Sequence, residues 1–232
     1  MAFLAVLTAT YKQFLILFFL ILIHELGHSL MAYIFHVKVD KIIIYPLGGI
    51  SKFEMDLNIN PLKELLILLM GPIFQCLGYL ILIFVFGNNY LFELYHYTLL
   101  VFNLLPIYPL DGGRLLKIVY DYYLPYKLSF YLVIITSFWI VIITILNSIE
   151  LHFNNVIIGI LLFVLIEKER KKIPILYNKF LLERLLNNYN FRKTKIISNK
   201  DYFYRNKNHL FKKRGFFFFE KDYLKDLFSI EN

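Results

Sequence analysis

The stretch Phe14-Leu15-Ile16-Leu17-Phe18-Phe19-Leu20-Ile21-Leu22-Ile23-His24-Glu25-Leu26-Gly27-His28-Ser29-Leu30-Met31-Ala32-Tyr33-Ile34-Phe35 decides how the rest of the chain is read. It is apolar and long enough to cross a bilayer as one helix, and it carries His24-Glu25-Leu26-Gly27-His28 near its middle. Positions four apart share a helix face, one turn above the other, so the two imidazoles can converge on a single metal ion. Glu25 then stands beside that metal as a group able to take a proton from water, the general-base role of the His-Glu-x-x-His pattern. Chance produces this pattern in about 1 in 100 sequences of such composition. Two imidazoles and a carboxylate inside a lipid span each cost about 2 to 3 kcal/mol to insert, and such residues face the protein interior and mark a site. A metal centre is therefore the expectation, ahead of a buried structural cluster.

Composition points the same way. Of 232 residues, 59% are hydrophobic and 42 are Phe or Tyr, with a mean hydropathy of +0.59. A soluble core does not use so much apolar side chain, and the expected class is an all-α polytopic membrane protein. The length gives room for five or six transmembrane helices of about 20 residues each, plus a small appendage. The single cysteine, Cys76, lies in an apolar run, so no disulfide forms within the chain and a small buried hydrophobe is expected there.

Charge is uneven along the chain. Residues 1–167 hold 8 Lys or Arg against 10 Asp or Glu, whereas 168–232 hold 17 against 7, a net of +10. The run Glu167-Lys168-Glu169-Arg170-Lys171-Lys172 directly after a span fixes that end in the cytoplasm by the positive-inside rule. Basic residues in this place do topological work, so the tail is not read as a nucleic-acid binder. Two parts follow: a membrane domain at 1–167 and a basic cytoplasmic tail at 168–232.

Residues 1–12 are apolar but too short to cross a bilayer separately, and lack the basic start of a signal peptide. They extend the first helix, about Gln13 to Phe35, or are the remainder of a longer span. From His36 to Asn60 polarity rises, and two short alternations flank Tyr45-Pro46-Leu47-Gly48-Gly49, which reads as a short membrane-associated β-hairpin or as a loop. A second helix, Leu62 to Phe86, contains Gly71-Pro72, where close backbone approach should pack it against the helix bearing the metal. A third begins near Leu91 and is broken by Asn103-Leu104-Leu105-Pro106-Ile107-Tyr108-Pro109-Leu110-Asp111-Gly112-Gly113. Non-helical backbone at membrane depth is tolerated only inside protein or beside a wet cavity, so this break should lie at the active site. Further helices are expected from about Lys127 to Asn147 and from about Phe153 to Ile166, then an amphipathic helix from Tyr177 to Tyr189 that lies on the membrane or on the protein itself. Phe216-Phe217-Phe218-Phe219 reads as one strand of a small fold.

A catalytic zinc takes three protein ligands and keeps a fourth position for water. His24 and His28 supply two. Asp111, in the helix break at a matching cytoplasmic-side depth, is the best candidate for the third, while Glu93 and His96 belong to the other end of their helix.

His24-Glu25-Leu26-Gly27-His28 together with the run from Asn103 to Gly113 resembles the site-2 protease family of intramembrane zinc metalloproteases. Within it, Pro46-Leu47-Gly48-Gly49, Pro61-Leu62-Lys63-Glu64, Gly71-Pro72 and Phe180-Leu181-Leu182-Glu183-Arg184 are most similar to the stage IV sporulation metalloproteases that process a sigma-factor precursor. The likeness covers about residues 14 to 190. It implies that His24, His28 and Asp111 bind one Zn2+ per chain and that Glu25 activates water. It also implies that Asn103 and Pro109 help bind the substrate and that Gly48 and Gly49 border its channel. Members of the sporulation group carry a full first span and a C-terminal nucleotide-sensing CBS domain; here the start is short and about 40 residues follow the amphipathic helix.

The expected function is hydrolysis of a peptide bond in a membrane-associated regulatory protein, such as a sigma-factor precursor or an anti-sigma factor. The expected place is the bacterial cell membrane, with the C-terminus cytoplasmic. Partners are the protein substrate, membrane inhibitor or regulator proteins, and lipid, with no nucleic acid. The alternative is a non-enzymatic membrane zinc-binding or carrier protein using the same ligands. A carrier needs polar residues along a continuous path through several helices, whereas here they cluster at one depth.

Overall fold

Helix α1, Tyr11–Ile34, holds the His-Glu-His stretch and ends where residues can no longer continue it. His36 adopts a left-handed φ of 58°, and Val37 N–H bonds Ala32 O at 2.8 Å while His36 N–H bonds Tyr33 O at 2.9 Å. This is the six-to-one and five-to-two pattern that closes the last carbonyls of a helix. The computed structural model describes residues 11–37, 39–45, 48–53, 57–148, 153–189, 191–213 and 216–228. Its contacts divide the chain into two units, 1–55 with 62–105 and 56–61 with 106–232.

In the first unit α1 is followed by a hairpin, β1 (Val39–Tyr45) and β2 (Gly48–Phe53), then α2 (Pro61–Phe86) and α3 (Tyr90–Leu104). The strands pair antiparallel with Tyr45 opposite Gly48 and Ile44 opposite Gly49, so the hairpin reading holds over the loop. Pro46 and Leu47 lie outside the described residues. The hairpin packs on α1. Helix α2 approaches α1 through a row of small residues. A side chain at Gly27 would meet Met70 O and Phe74 Cβ, one at Gly71 would enter the rings of His28 and His24, and one at Gly78 would press on Ile23. Such glycines let backbones approach closely, which is how helices without a hydrophobic driving force in lipid gain packing. Leu20, Ile21, Leu82, Phe92 and Leu99 form a buried apolar cluster in this unit. Cys76, expected to be buried, is exposed, because it falls off the Gly71–Gln75–Gly78 face. Helix α3 begins at the cap Asn89, whose side chain accepts from Leu91 N–H at 2.9 Å.

The second unit starts at the break in the third sequence helix. Asn103 is still helical, and the non-helical segment runs over 105–110. Tyr108 N–H, which has no helical partner, donates to Ser137 Oγ at 2.8 Å. Helix α4, Asp111–Tyr123, follows, then α5, Tyr126–Ser148, and α6, Phe153–Leu186. A Cβ at Gly113 would run into the backbone of Ile107 and Tyr108, so only glycine lets the first turn of α4 fold back on the break. Helix α6 corrects the sequence reading. One helix of 34 residues replaces a span ending near Ile166 and a separate amphipathic helix from Tyr177, with Pro174 accommodated inside it. The charged run that suggested a boundary instead decorates continuous helix, with Arg170 paired to Glu167 and Lys172 to Glu169 three residues apart, a spacing that places both partners on one helix face. Of the apolar stripe, Leu181 and Leu185 are buried, with Tyr177 and Phe180 beside them, whereas Leu182 and Leu186 are exposed.

The end of the chain folds onto α6. Strands β3 (Thr194–Ile197), β4 (Asn208–Lys213) and β5 (Phe216–Phe219) form one sheet in that order. β3 runs parallel to β4 and β5 antiparallel to it, and helix α7, Glu220–Leu227, closes the module. Arg184 is the joint. Buried on α6, it donates to Asn58 Oδ1 at 2.8 Å, to Glu220 Oε1 at 2.8 Å, and to the carbonyls of Tyr204, Arg205 and Lys207 at 2.8, 2.9 and 3.1 Å. A guanidinium has five donors in a fixed fork and is suited to such a role. A second joint is the buried Asp121 of α4, which takes Lys117 Nζ at 2.6 Å, Arg205 at 3.2 Å and the Ser129 hydroxyl.

Among the described residues, three helices are long and apolar enough to cross a membrane by length and composition: Tyr11–Ile34, Pro61–Phe86 and Tyr126–Leu146. Helices α3 and α4, at 15 and 13 residues, are shorter than this. The mostly helical, polytopic character expected from the sequence is thus present in outline.

Candidate metal centre

Two imidazoles on one helix face are useful to a metal only if their lone pairs point at the same place. His28 Nδ1 lies 2.8 Å from the carbonyl of Ile67; a carbonyl only accepts, so Nδ1 carries the proton and donates. His24 Nδ1 lies 3.0 Å from Gln75 Oε1. The Gln75 amide is oriented by its Nε2, which donates to His96 O at 2.9 Å, so Oε1 accepts from His24 and its Nδ1 is protonated too. With both rings neutral the two Nε2 atoms are unprotonated, and they face each other at 3.1 Å. Two lone pairs so placed repel unless a cation sits between them. A tetrahedral zinc with Zn–N near 2.05 Å separates two nitrogens by about 3.3 Å, so the spacing fits.

His24 and His28 each offer an Nε2 ligand atom on one face of α1 in the first unit. The donor set expected from the sequence, two imidazoles and one carboxylate, is that of a catalytic rather than a closed structural zinc site. Asp111 occupies the first turn of α4. Glu25 is buried on α1 next to His24, one residue along the same turn.

The other expected residues take these places: Asn103 in the last turn of α3, Pro109 in the segment before α4, preceded by a cis peptide bond, and Gly48 and Gly49 at the start of β2. His96, set aside as a ligand from sequence, is buried behind Gln75 and stacks on Tyr79 with ring centroids 4.3 Å apart. Gln75 is the residue that sequence reasoning missed. A signal existed: an amide in an apolar helix, four residues after Gly71 and three before Gly78, on the face that those glycines turn toward α1. Groups that orient the imidazole of a metal ligand matter nearly as much as the ligand itself.

The family model for peptidase family M50 matches residues 12–97. Stage IV sporulation protein FB of Bacillus subtilis is 31% identical over 192 residues, which cover 78% of this chain and 66% of that protein. A zinc metalloprotease of Methanocaldococcus jannaschii is 34% identical over 116 residues, 46% of this chain and 33% of that protein. The chain thus spans under two thirds of the length of each of these relatives. Among solved structures, a site-2 protease from Methanocaldococcus jannaschii superposes with a TM-score of 0.57 at 25% identity, over 68% of this chain and 77% of that one.

Proposed function

The chain belongs to peptidase family M50, the site-2 proteases, and on that premise we propose that it is an intramembrane zinc metalloprotease. The observation that carries this is the pair of Nε2 lone pairs converging at 3.1 Å, each imidazole locked from behind, with a buried Glu25 beside them. In this reading His24, His28 and Asp111 hold one zinc per chain. Bound there, zinc supplies a Lewis acid for the scissile carbonyl and a water acidified to a pKa of about 7. Glu25 takes the proton from that water on its carboxylate and returns it to the nitrogen of the leaving amine. Gln75 and the Ile67 carbonyl hold the two rings in the tautomer that offers Nε2. Asn103 and Pro109 bind the substrate backbone, and Gly48 and Gly49, beside the turn of the hairpin, border its path.

The proposed substrate is a membrane-associated regulatory protein, such as a sigma-factor precursor or an anti-sigma factor, in keeping with the sporulation role printed in the name of the Bacillus relative. Five or six spans, a membrane domain up to about residue 167, a cytoplasmic C-terminus, and control by membrane inhibitor or regulator proteins complete the proposal.

Metal analysis of the purified chain tests the site. About one zinc per chain is expected, and Asp111→Asn should lower zinc retention along with cleavage because a charged ligand is lost. Less than about a tenth of an equivalent of zinc, unresponsive to added metal, contradicts the ligand set. Zinc binding with metal transport and no cleavage of co-expressed membrane precursors, read by mass, replaces the protease with a carrier.

A further inference from the structure

The outer face of the C-terminal sheet is apolar and bare. Strand register sets Ile196, Leu210 and Phe219 in one row across β3, β4 and β5, with Lys212 opposite Phe217 in the next. Side chains alternate between faces along a strand, so these five share the face turned away from Phe211 and Ile197, which are buried. Helix α7 covers that buried side, where Tyr223 stacks on Phe211 at 3.6 Å. On the outer face Ile196 is 58% exposed, Phe217 57% and Phe219 72%. Consecutive exposed aromatics on an edge strand form a template for aggregation, and native proteins cover such edges.

What covers this one is set by where the module is tied and by its charge. Tyr126, the first residue of an apolar helix long enough to span a bilayer, donates its N–H to Phe203 O at 2.8 Å. Beside it Lys127 Nζ lies 2.7 Å from Asp201 Oδ1. The module is therefore fastened to the end of a span, at the level where hydrocarbon gives way to headgroups. Between Phe191 and Phe228 it holds 11 Lys or Arg against 4 Asp or Glu, a net charge of +7. Two such modules repel each other, whereas an anionic leaflet attracts both. Aromatic side chains with a basic rim are the composition of a surface that lies in the headgroup region.

We propose that the Phe217–Phe219 face of the C-terminal sheet docks onto the anionic lipid surface of the membrane that holds the chain. Lys212 and its basic neighbours meet lipid phosphates, while Phe217, Phe219 and Ile196 sink to the acyl boundary.

The test uses the full chain reconstituted in vesicles, with a single tryptophan as depth reporter. Trp139→Phe removes the native one, and Phe219→Trp or Asp226→Trp supplies the reporter on the proposed docking face or on α7 behind the sheet. With brominated lipids in vesicles of about 3:1 phosphatidylcholine to phosphatidylglycerol, Trp at 219 should be quenched at least about twofold more than Trp at 226. The difference should shrink in pure phosphatidylcholine and in about 1 M salt, where charge is screened beyond about 3 Å. Adding Lys212→Glu and Phe217→Ser, both on exposed side chains, should bring quenching at 219 down to the level at 226 with unchanged helical circular dichroism. Equal quenching at both sites in anionic vesicles overturns the proposal. So does shielding of Trp at 219 that appears only as the protein-to-lipid ratio rises, which assigns the face to a second copy of the chain.

Discussion

Replacing Gln75 by Leu probes the reasoning about the metal centre without touching a ligand. The two side chains have similar volume, so α2 keeps its packing, but the variant loses the acceptor 3.0 Å from His24 Nδ1 and the donor 2.9 Å from His96 O. With its Nδ1 proton no longer held by an acceptor on α2, the His24 ring gains the other tautomer, in which Nε2 carries the proton and cannot ligate. Loss of an orienting group of this kind lowers metal affinity about 10- to 100-fold, which is about 1.4 to 2.8 kcal/mol. Gln75→Glu restores an acceptor toward His24 but sets a carboxylate against the His96 carbonyl, so it should recover part of the affinity and none of the α2–α3 bond. The assay is competition against a chelator of known zinc affinity on purified protein in detergent. Zinc affinity of Gln75→Leu within about twofold of the parent, where a weakening of at least tenfold is expected, would refute the tautomer assignment.

Arg184→Ala removes a buried charge-assisted bond to Glu220 and the donors that serve Asn58 and three backbone carbonyls, a loss of about 3 to 5 kcal/mol. Limited proteolysis between Phe191 and Phe228 should speed up by at least about 100-fold, and an unchanged rate contradicts the joint. Acid should loosen the same module. Burial holds the His209 imidazole below its ordinary value of 6.5, and Tyr204 N–H donates to its Nε2 at 2.9 Å, a contact that only the neutral ring accepts. Burial alone raises the Glu220 carboxyl, but the hydrogen bond from His209 and the charge of Arg184 outweigh it and hold it below 4.5. In both cases the unfolded form takes up protons first as pH falls, so stability is full above about 6.5 and declines below it, His209 acting first and Glu220 below about 4.5. Proteolysis of the module should rise from pH 7 to pH 5, and His209→Gln should flatten that rise; a flat profile in the parent contradicts it. A reporter active only in the cytoplasm, fused after Asn232, should be active, because 168–232 carries +10; activity only of a reporter for the opposite side reverses the topology.

The residues of the centre were legible because each breaks a rule of its surroundings. Imidazoles and a carboxylate in an apolar helix, and prolines, glycines and an aspartate interrupting another, are costly unless they do chemistry, and the Nε2 atoms of His24 and His28 do converge. The hairpin was legible from alternation around a Pro and Gly turn. Two things were less so. Helix α6 was read as two because a charged run resembles a boundary, while the ion pairs that let it continue depend on which face each charge takes. Gln75 was passed over because orienting a ligand is a matter of distance, and a lone amide has no motif. Arg184 stood in the sequence as part of a family likeness, yet its role as a joint rests on carbonyls contributed 20 and more residues away.

The most direct measurement is the cleavage rate of Glu25→Gln, taken on the same sample as its zinc content. Gln keeps the size of Glu25 but cannot accept a proton from water, and it is not one of the three ligands. Zinc per chain should match the parent while cleavage of the membrane precursor identified by co-expression falls by at least about 100-fold, the scale of a lost general base. Normal cleavage by Glu25→Gln would contradict the account at its central residue.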